Sequence, residues 1–414
     1  MIARSLTAAC AALALATPAA GIAAQWIGTW GAAPEPPRAA AGPFPASPSY
    51  DNQTIREVVR IAAGGHRFRI RFTNVYGTKP LVIGAASLAL ADPKGNMVGA
   101  SIKPVTFAGK RSVTIPAGSP YLSDPVELDA KPLAKLAISL YVSEDTGPCT
   151  CHGVGMETAQ VSEAGDFTDE PFTPKSTMQA RAFISGVEVE TVRPGKAIVA
   201  FGDSITDGVG STLNADRRWP DLLAARLAAR KDRTQWGVVN MGISGNRLLR
   251  DGAGQSALAR LDRDVLSVPG AAYVIVFEGV NDLGISYGHF TGPRAAAFKN
   301  LATGSPETAE ELIAGYRQII DRAHGRGLKV IGATIAPYEG AAYYSEEGEA
   351  VRAKINQWIR TSRAFDGVLD FDAALRDPAD PKRIATALQA GDHLHGSDAG
   401  YEAMARSIDL ALFR

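Results

Sequence analysis

The sequence predicts an α/β fold built on a doubly wound parallel sheet in its second half, preceded by a β-sandwich or jelly-roll-like domain. Two observations carry this expectation. Between residues 50 and 190, short runs place apolar residues at every second position, the period of strands with one wet face. From about Pro194, short apolar runs alternate with long amphipathic segments, and a β-α-β-α order requires crossover connections and hence parallel neighbours. A chain of 414 residues also has room for two cores.

The first stretch, "MIARSLTAACAALALATPAAGIAA" (1–24), sets Arg4 before an Ala/Leu run that ends in small residues. This is the pattern of a cleaved export signal and is too short for a membrane anchor. Thr7-Ala8-Ala9 ahead of Cys10 is a poor context for lipid attachment. Next, "APEPPRAAAGPFPASP" (33–48) is rich in Pro and small residues and reads as an extended loop. In "HRFRIRFTNVYG", Phe68, Ile70 and Phe72 alternate with Arg67, Arg69 and Arg71; in "LAISLYVSEDTG", Leu136, Ile138, Leu140 and Val142 share one side. The runs "LVIGAASLAL" and "SVTIPAG" add shorter strands, so residues 25–192 form the expected β-domain.

Residues 193–414 form the expected α/β domain. Its strands are "KAIVAFG", "VVNMG", "YVIVFEGVND", "KVIGATIAP" and "GVLDF", apolar throughout, as buried parallel strands are. Its helices are "WPDLLAARLAARK", "SALARLDRDVL", "ETAEELIAGYRQIIDRAHGRG" and "EGEAVRAKINQWIRTSRAF". In such sheets ligands bind outside the carboxyl ends of the strands.

Composition narrows the partner. Forty-three basic residues balance 43 acidic ones, which leaves no field to draw nucleic acid or an anionic membrane, so a small or neutral partner is expected. After the leader no segment approaches the roughly 18 apolar residues of a membrane span. Cys149 and Cys151, in "GPCTCHG", could close a small disulfide in an oxidising compartment or remain free thiols. No four-ligand zinc spacing is present, and no metal or cofactor is expected.

"AIVAFGDSITDGVG" (197–210) places Ser204 directly after the first apolar strand. Alone, the motif reads equally well as a polar turn with capping duties or as a nucleophile. A nucleophilic serine needs a base, and there are six histidines. His66 sits beside a Gly-Gly turn, His152 follows the cysteines, His289 lies in a Gly-rich loop and His324 ends a helix. His393 and His395 remain, in "GDHLHGSDAGY", and Asp392 precedes His395 by three residues, a spacing that lets its carboxylate orient the imidazole. A metal reading of the His-x-His pair lacks a matching cluster of carboxylates or imidazoles elsewhere. Gly242 in "NMGISGN" and Asn281 in "EGVNDLG" follow the second and third strands, where a bare backbone N–H and a side-chain amide could face an oxyanion. Ser244 lies near the same edge but lacks a Gly-x-Ser-x-Gly elbow, and Asp203 and Asp282 read as loop-holding carboxylates.

Taken together, "GDSITDG", "NMGISGN", "GVNDLG" and "DHLHGSDAGY" resemble, in order, the four blocks of the SGNH or GDSL hydrolase superfamily, over about residues 195 to 414. The resemblance implies an SGNH hydrolase-like, flavodoxin-like sheet. It also implies Ser204 as nucleophile, His395 as base and Asp392 as its orienter, with an oxyanion hole of Ser204 N–H, Gly242 N–H and Asn281. The family's last block usually continues with Pro after the histidine, where this chain has Gly396. "QWIGTWGAAPEPP" and "RFRIRFTNVYGTKPLVIGAASLAL" resemble, more weakly, the β-rich region of some secreted bacterial members. A histidine after "GPATxx" is common there, and "GPCTCH" puts His152 in that place. The implied activity is that of a secreted serine esterase acting on a small-molecule or polysaccharide ester, foremost a carbohydrate O-acetylesterase. A short-chain aryl or lipid esterase is the runner-up, and a carbohydrate-binding protein with a retired site is the alternative from another class. The β-domain is expected either to pack over the active-site mouth or to serve stability alone.

Overall fold

The computed structural model describes residues 25–40, 46–231, 233–290 and 304–414. The export signal read at 1–24, and positions 41–45 of the Pro-rich loop, lie outside the described residues.

Two large antiparallel sheets and one two-stranded pair, Cys151–His152 with Arg181–Ala182, form the β-rich region. In the first, Gln25–Gly31, Ile184–Thr191 and Gly65–Thr73 lie side by side, with Pro120–Leu122 and Val126–Ala130 both paired to Gly65–Thr73. In the second, Gln53–Arg60, Lys135–Val142 and Leu81–Leu90 are the long central strands. Phe68, Ile70 and Phe72 from one sheet and Leu136, Ile138 and Leu140 from the other share a single buried core, as their alternation requires. Each such side chain contributes about 1.5–3 kcal/mol on burial.

The expected wet face of Lys135–Val142 is covered at its centre, while Lys135 and Tyr141 at its ends stay partly exposed. Ala137 and Ser139 are as buried as the core-facing residues. Ser139 Oγ accepts from Arg56 Nε at 2.8 Å, and Arg56 Nη2 donates to the carbonyls of Phe167 and Glu170 at 2.8 and 2.9 Å. The guanidinium also lies 4.5 Å from the centre of the Phe172 ring. A loop thus covers the second face, which residue alternation within the strand does not encode.

The second half is one parallel sheet in the order Gln235–Gly242, Gly195–Gly202, Ala271–Phe277, Lys329–Ala333, Gly367–Leu369. Right-handed crossovers from this order send the first helix to one face and the next ones to the other. Accordingly Trp219–Ala228 packs with Asp398–Ser407, and Ala309–His324 with Glu346–Thr361. This sheet has its own core, which includes Val199, Phe201, Trp219, Ile275 and Phe371.

Two elements differ from the sequence expectation. "YVIVFEGVND" is not one strand: it stops at Phe277, turns through Gly279 in the left-handed region (φ 113°), and begins the helix Val280–Tyr287. "SALARLDRDVL" starts as an α-helix at Ala257–Leu261 and widens to a π-turn over Asp262–Leu266. Register then levels the functional edge, because Gly202 pairs with Gly242 on one side and with Phe277 on the other. The chain reverses its direction of travel across the sheet at the Gly195–Gly202 strand, so the crevice lies outside its carboxyl end. Among the described residues, no helix is long and apolar enough to cross a membrane.

Candidate active site

Ser204 opens a four-residue helix, Ser204–Asp207, set directly on the end of the central strand. Asp203 caps it, its Oδ1 accepting from Ile205 N at 2.9 Å. As the first helical residue, Ser204 keeps a backbone N–H without an intrahelical acceptor. Burial pushes the Asp203 carboxyl up, opposed by the Ile205 N–H and by His395.

Ser204 Oγ lies 2.8 Å from His395 Nε2. The other ring nitrogen, Nδ1, lies 2.5 Å from Asp392 Oδ2. Asp392 Oδ1 accepts from the N–H of His395 at 2.9 Å and of Leu394 at 3.1 Å, so one carboxylate holds both the imidazole and the loop that carries it. Burial raises the Asp392 carboxyl, but the hydrogen bond and charge of His395, with those two N–H groups, more than reverse this and hold it well below the usual carboxylate range. An ionised Asp392 accepts from Nδ1–H, which leaves Nε2 to accept the serine proton. Gly396, the departure from the usual Pro, is buried against Tyr401, whose ring a side chain there would meet at 3.2 Å. His393 lies on the same loop with its side chain exposed and away from Ser204, next to Gly340.

Asn281 is held from both ends of its amide. Its Nδ2 donates to Asn246 O at 3.0 Å, and its Oδ1 accepts from Tyr343 OH at 3.2 Å. One Nδ2 hydrogen remains for another acceptor. The expectation for Gly242 is corrected. Its N–H donates to Asn240 Oδ1 at 2.9 Å and is committed within the strand end. Gly242 is required for another reason: a Cβ there would lie 2.5 Å from the Asp207 nitrogen, so its bareness lets the Ser204–Asp207 helix sit down. Three residues on, Gly245 takes φ 81°, and among the described residues its N–H has no acceptor. Asp282 Oδ1 and Oδ2 accept from Leu248 N at 3.0 and 2.8 Å, anchoring the chain that leaves this turn.

Beneath the site sits Arg260, wholly buried. It donates to Gly202 O and Met241 O at 2.9 and 2.7 Å, joining the ends of the two strands that lead to Ser204 and Gly242. It also donates to Asn246 Oδ1 at 2.9 Å and pairs with Asp264 and Glu278, each at 3.2 Å. "ALARL" carried no sign of this beyond a charge on a helix otherwise apolar at that point.

His152 also arrives here, unforeseen by the sequence except as a resemblance. Its Nε2 lies 2.9 Å from both Asp207 Oδ1 and the Val154 carbonyl, and its Nδ1 lies 3.0 Å from the Ala33 carbonyl. Both nitrogens face acceptors, so both must carry a proton. Burial disfavours that charge, but Asp207, Glu35 and the Val154 carbonyl outweigh it and raise the imidazolium to about 9. The β-rich region therefore meets the site from below the serine helix. Its other bonds to the second half include those to Asn214, Asp216, Arg218, Asp221, Gln235, Gln255, Arg263 and Pro269, and among the described residues none goes to Ser204, Asn281 or His395. Ser244 lies across Asp207 from His152, its Oγ donating to Asp207 Oδ2 at 2.8 Å.

A hydroxyl, an imidazole and a carboxylate in line at the carboxyl edge of a parallel sheet define a serine hydrolase. Residues 200–403 match the GDSL-like Lipase/Acylhydrolase family, so the second half of the chain is a domain of that family, with the SGNH hydrolase fold. A lipase/acylhydrolase from Enterococcus faecalis is 21% identical, covering 51% of this chain and 92% of its own, with a TM-score of 0.38. An acetyl xylan esterase from Geobacillus stearothermophilus is 23% identical, covering 53% and 95%, with a TM-score of 0.39. A GDSL-like lipase from Bacteroides thetaiotaomicron is 18% identical, covering 52% and 87%, with a TM-score of 0.37. No curated protein matches the chain.

Proposed function

We propose that Ser204 is the nucleophile of this acylhydrolase, His395 its base and Asp392 the orienter of that base. The observation that carries the reading is the unbroken contact from Ser204 Oγ through His395 to Asp392. His395 Nε2 takes the hydroxyl proton as Oγ attacks the ester carbonyl, then delivers it to the departing alkoxide. Water repeats the cycle on the acyl-enzyme. The N–H groups of Ser204 and Gly245 and the amide of Asn281 meet the oxyanion.

We further propose an exported enzyme of two domains, 25–192 and 193–414, that removes O-acetyl groups from carbohydrate. The leader pattern and the Cys149–Cys151 disulfide support export. Separate hydrophobic cores support the division into domains. Zero net charge favours a neutral polar ester.

The test is hydrolysis of p-nitrophenyl acetate by the native protein beside Ser204→Ala, with an expected loss of about 10⁴-fold or more in kcat; equal rates would remove the nucleophile. Acetate release from acetylated xylan, pectin and peptidoglycan, set against longer aryl and lipid esters, decides the substrate class. Faster turnover of the long acyl chains would overturn the acetylesterase reading, and sugar binding without turnover would favour a binding protein.

A further inference from the structure

We propose that His152, contributed by the β-sandwich, is a positioning residue for ester hydrolysis at Ser204: through Asp207 it fixes the turn 243–246 that presents the oxyanion donors. The proposal rests on the nucleophile reading above.

Asp207 is the hinge of the argument. It ends the helix that Ser204 begins, and its side chain is only 2% exposed. Its two oxygens face opposite ways. Oδ1 accepts from His152, and Oδ2 accepts from both the N–H and the Oγ–H of Ser244, at 3.2 and 2.8 Å. A buried carboxylate stays ionised only beside a cation or enough donors. The groups bonded to or paired with His152 are Asp207, Glu35 at 3.5 Å, and the carbonyls of Ala33 and Val154, every one an acceptor; the buried Arg181, its partner on the adjoining strand, and the buried Glu57 stand nearby without bonding to it. The His152 imidazolium is therefore the cation that contacts Asp207 directly, and it comes from the other sheet system.

Ser244 then transmits the position. The turn hangs from the strand end by Ile243 N–H to Gly202 O at 3.0 Å and is closed by Asn246 N–H to Ile243 O at 3.0 Å. Gly245 lies inside it, and Asn246 O at its end accepts from Asn281. Ser244 is the one side chain of this turn bonded to the Ser204–Asp207 helix. Without the His152 donor, Asp207 Oδ1 loses its hydrogen-bond partner and the carboxylate is free to turn toward the neighbouring Arg218 guanidinium, which weakens its hold on Ser244. The donors at Gly245 and Asn281 then drift relative to Ser204 while the Ser204–His395–Asp392 contacts stay intact.

The experiment compares native protein, His152→Gln, Ser244→Ala and the double variant on p-nitrophenyl acetate, with a phenylboronic acid as a tetrahedral mimic. A misplaced donor of about 1 Å costs about 10- to 100-fold. His152→Gln is expected to lose that factor in kcat, keep KM within about twofold, and weaken the boronic acid in proportion. Ser244→Ala is expected to lose at least about fivefold in kcat, and the double variant no more than the worse single one, because both act through Asp207. A stabilising role alone would lower the melting temperature without separating kcat and boronate affinity from KM. A folded His152→Gln with kcat within twofold of native overturns the proposal. Should that variant fail to fold, Ser244→Ala decides, and kcat within twofold of native is again fatal. Ser204→Ala run in parallel separates the two readings: native rates there remove the nucleophile, whereas Ser204-dependent activity that ignores His152 removes only the positioning role.

Discussion

Two histidine–aspartate pairs grip the same four-residue helix from its two ends, and they are built for opposite tasks. At Ser204, the His395 ring stands on a loop with its Asp392 partner half exposed, and each ring nitrogen has one polar neighbour of a different kind, a carboxylate and a hydroxyl. At Asp207, His152 is buried and meets only acceptors. The first arrangement lets a proton leave and return, because the imidazole can exist with Nε2 bare. The second forbids it, because a bare nitrogen would face a carbonyl or a carboxylate lone pair to lone pair. Exposure and the character of the partners, not residue type, separate a proton shuttle from a fixed charge.

The comparison breaks most sharply at His395. His395→Ala is expected to lower kcat by about 10⁴- to 10⁶-fold. The same change should cost under about 1 kcal/mol of stability, since it leaves no buried charge unpaired. Steady-state rates and urea unfolding on one preparation check both halves. Loss of folding together with activity would mean that the His395 loop, too, is a structural clamp.

His152 should show the reverse pattern, with a pH signature. Its folded value, raised from 6.5 to about 9, lies above its unfolded one, so its contribution is fully present below about pH 6.5 and is lost as pH climbs through about 9. The rise corresponds to on the order of 3 kcal/mol. Glu35 and Asp207 are the carboxylates that set it. Burial also raises the carboxyls of Glu57 and Asp282, each to about 7, so their contribution is present below about pH 4 and is lost as pH rises from about 4 to 7. The difference in unfolding free energy between native protein and His152→Gln cancels the Asp282 term but not that of Glu57, whose carboxyl the His152 charge helps to hold down, so the comparison is read chiefly above about pH 7. The difference should shrink steadily from about pH 7 to 9.5, and a flat difference would show that His152 is neutral in the fold.

The two pairs also differ in how far the sequence disclosed them. That Ser204, Asn281 and the Asp392–His395 pair stand at one sheet edge was legible because each lies within a few residues of a strand end or of its own partner, where spacing is local. The strand runs of the parallel sheet were legible for the same reason. Gly242 was misassigned because its N–H is taken by Asn240, two residues back in the same strand, a bond that depends on how one side chain curls at the strand end. The buried outer face of Lys135–Val142 depends on a loop some thirty residues away. His152 lies 55 residues before Asp207, in a different sheet system, and their meeting is a property of docking that no pattern within either segment specifies.

The smallest expected effect concerns what holds His152 in place. The disulfide between Cys149 and Cys151 spans a Cα–Cα distance of 5.3 Å immediately before it. A loop this short removes little freedom from the unfolded chain, so the bridge contributes roughly 1.5 kcal/mol. The backbone there is already tied without it. Cys151–His152 pairs antiparallel with Arg181–Ala182, Cys149 N–H reaches Pro48 O at 2.8 Å, and Cys151 O accepts from Glu35 N–H at 2.8 Å. The pair Cys149→Ser and Cys151→Ser should therefore lower stability by about 1–2 kcal/mol and leave kcat within about threefold of native. A loss of kcat as large as that expected for His152→Gln would mean that the disulfide, and not the strand pairing, aims the imidazolium at Asp207, and would make the activity of the folded enzyme dependent on its oxidation state.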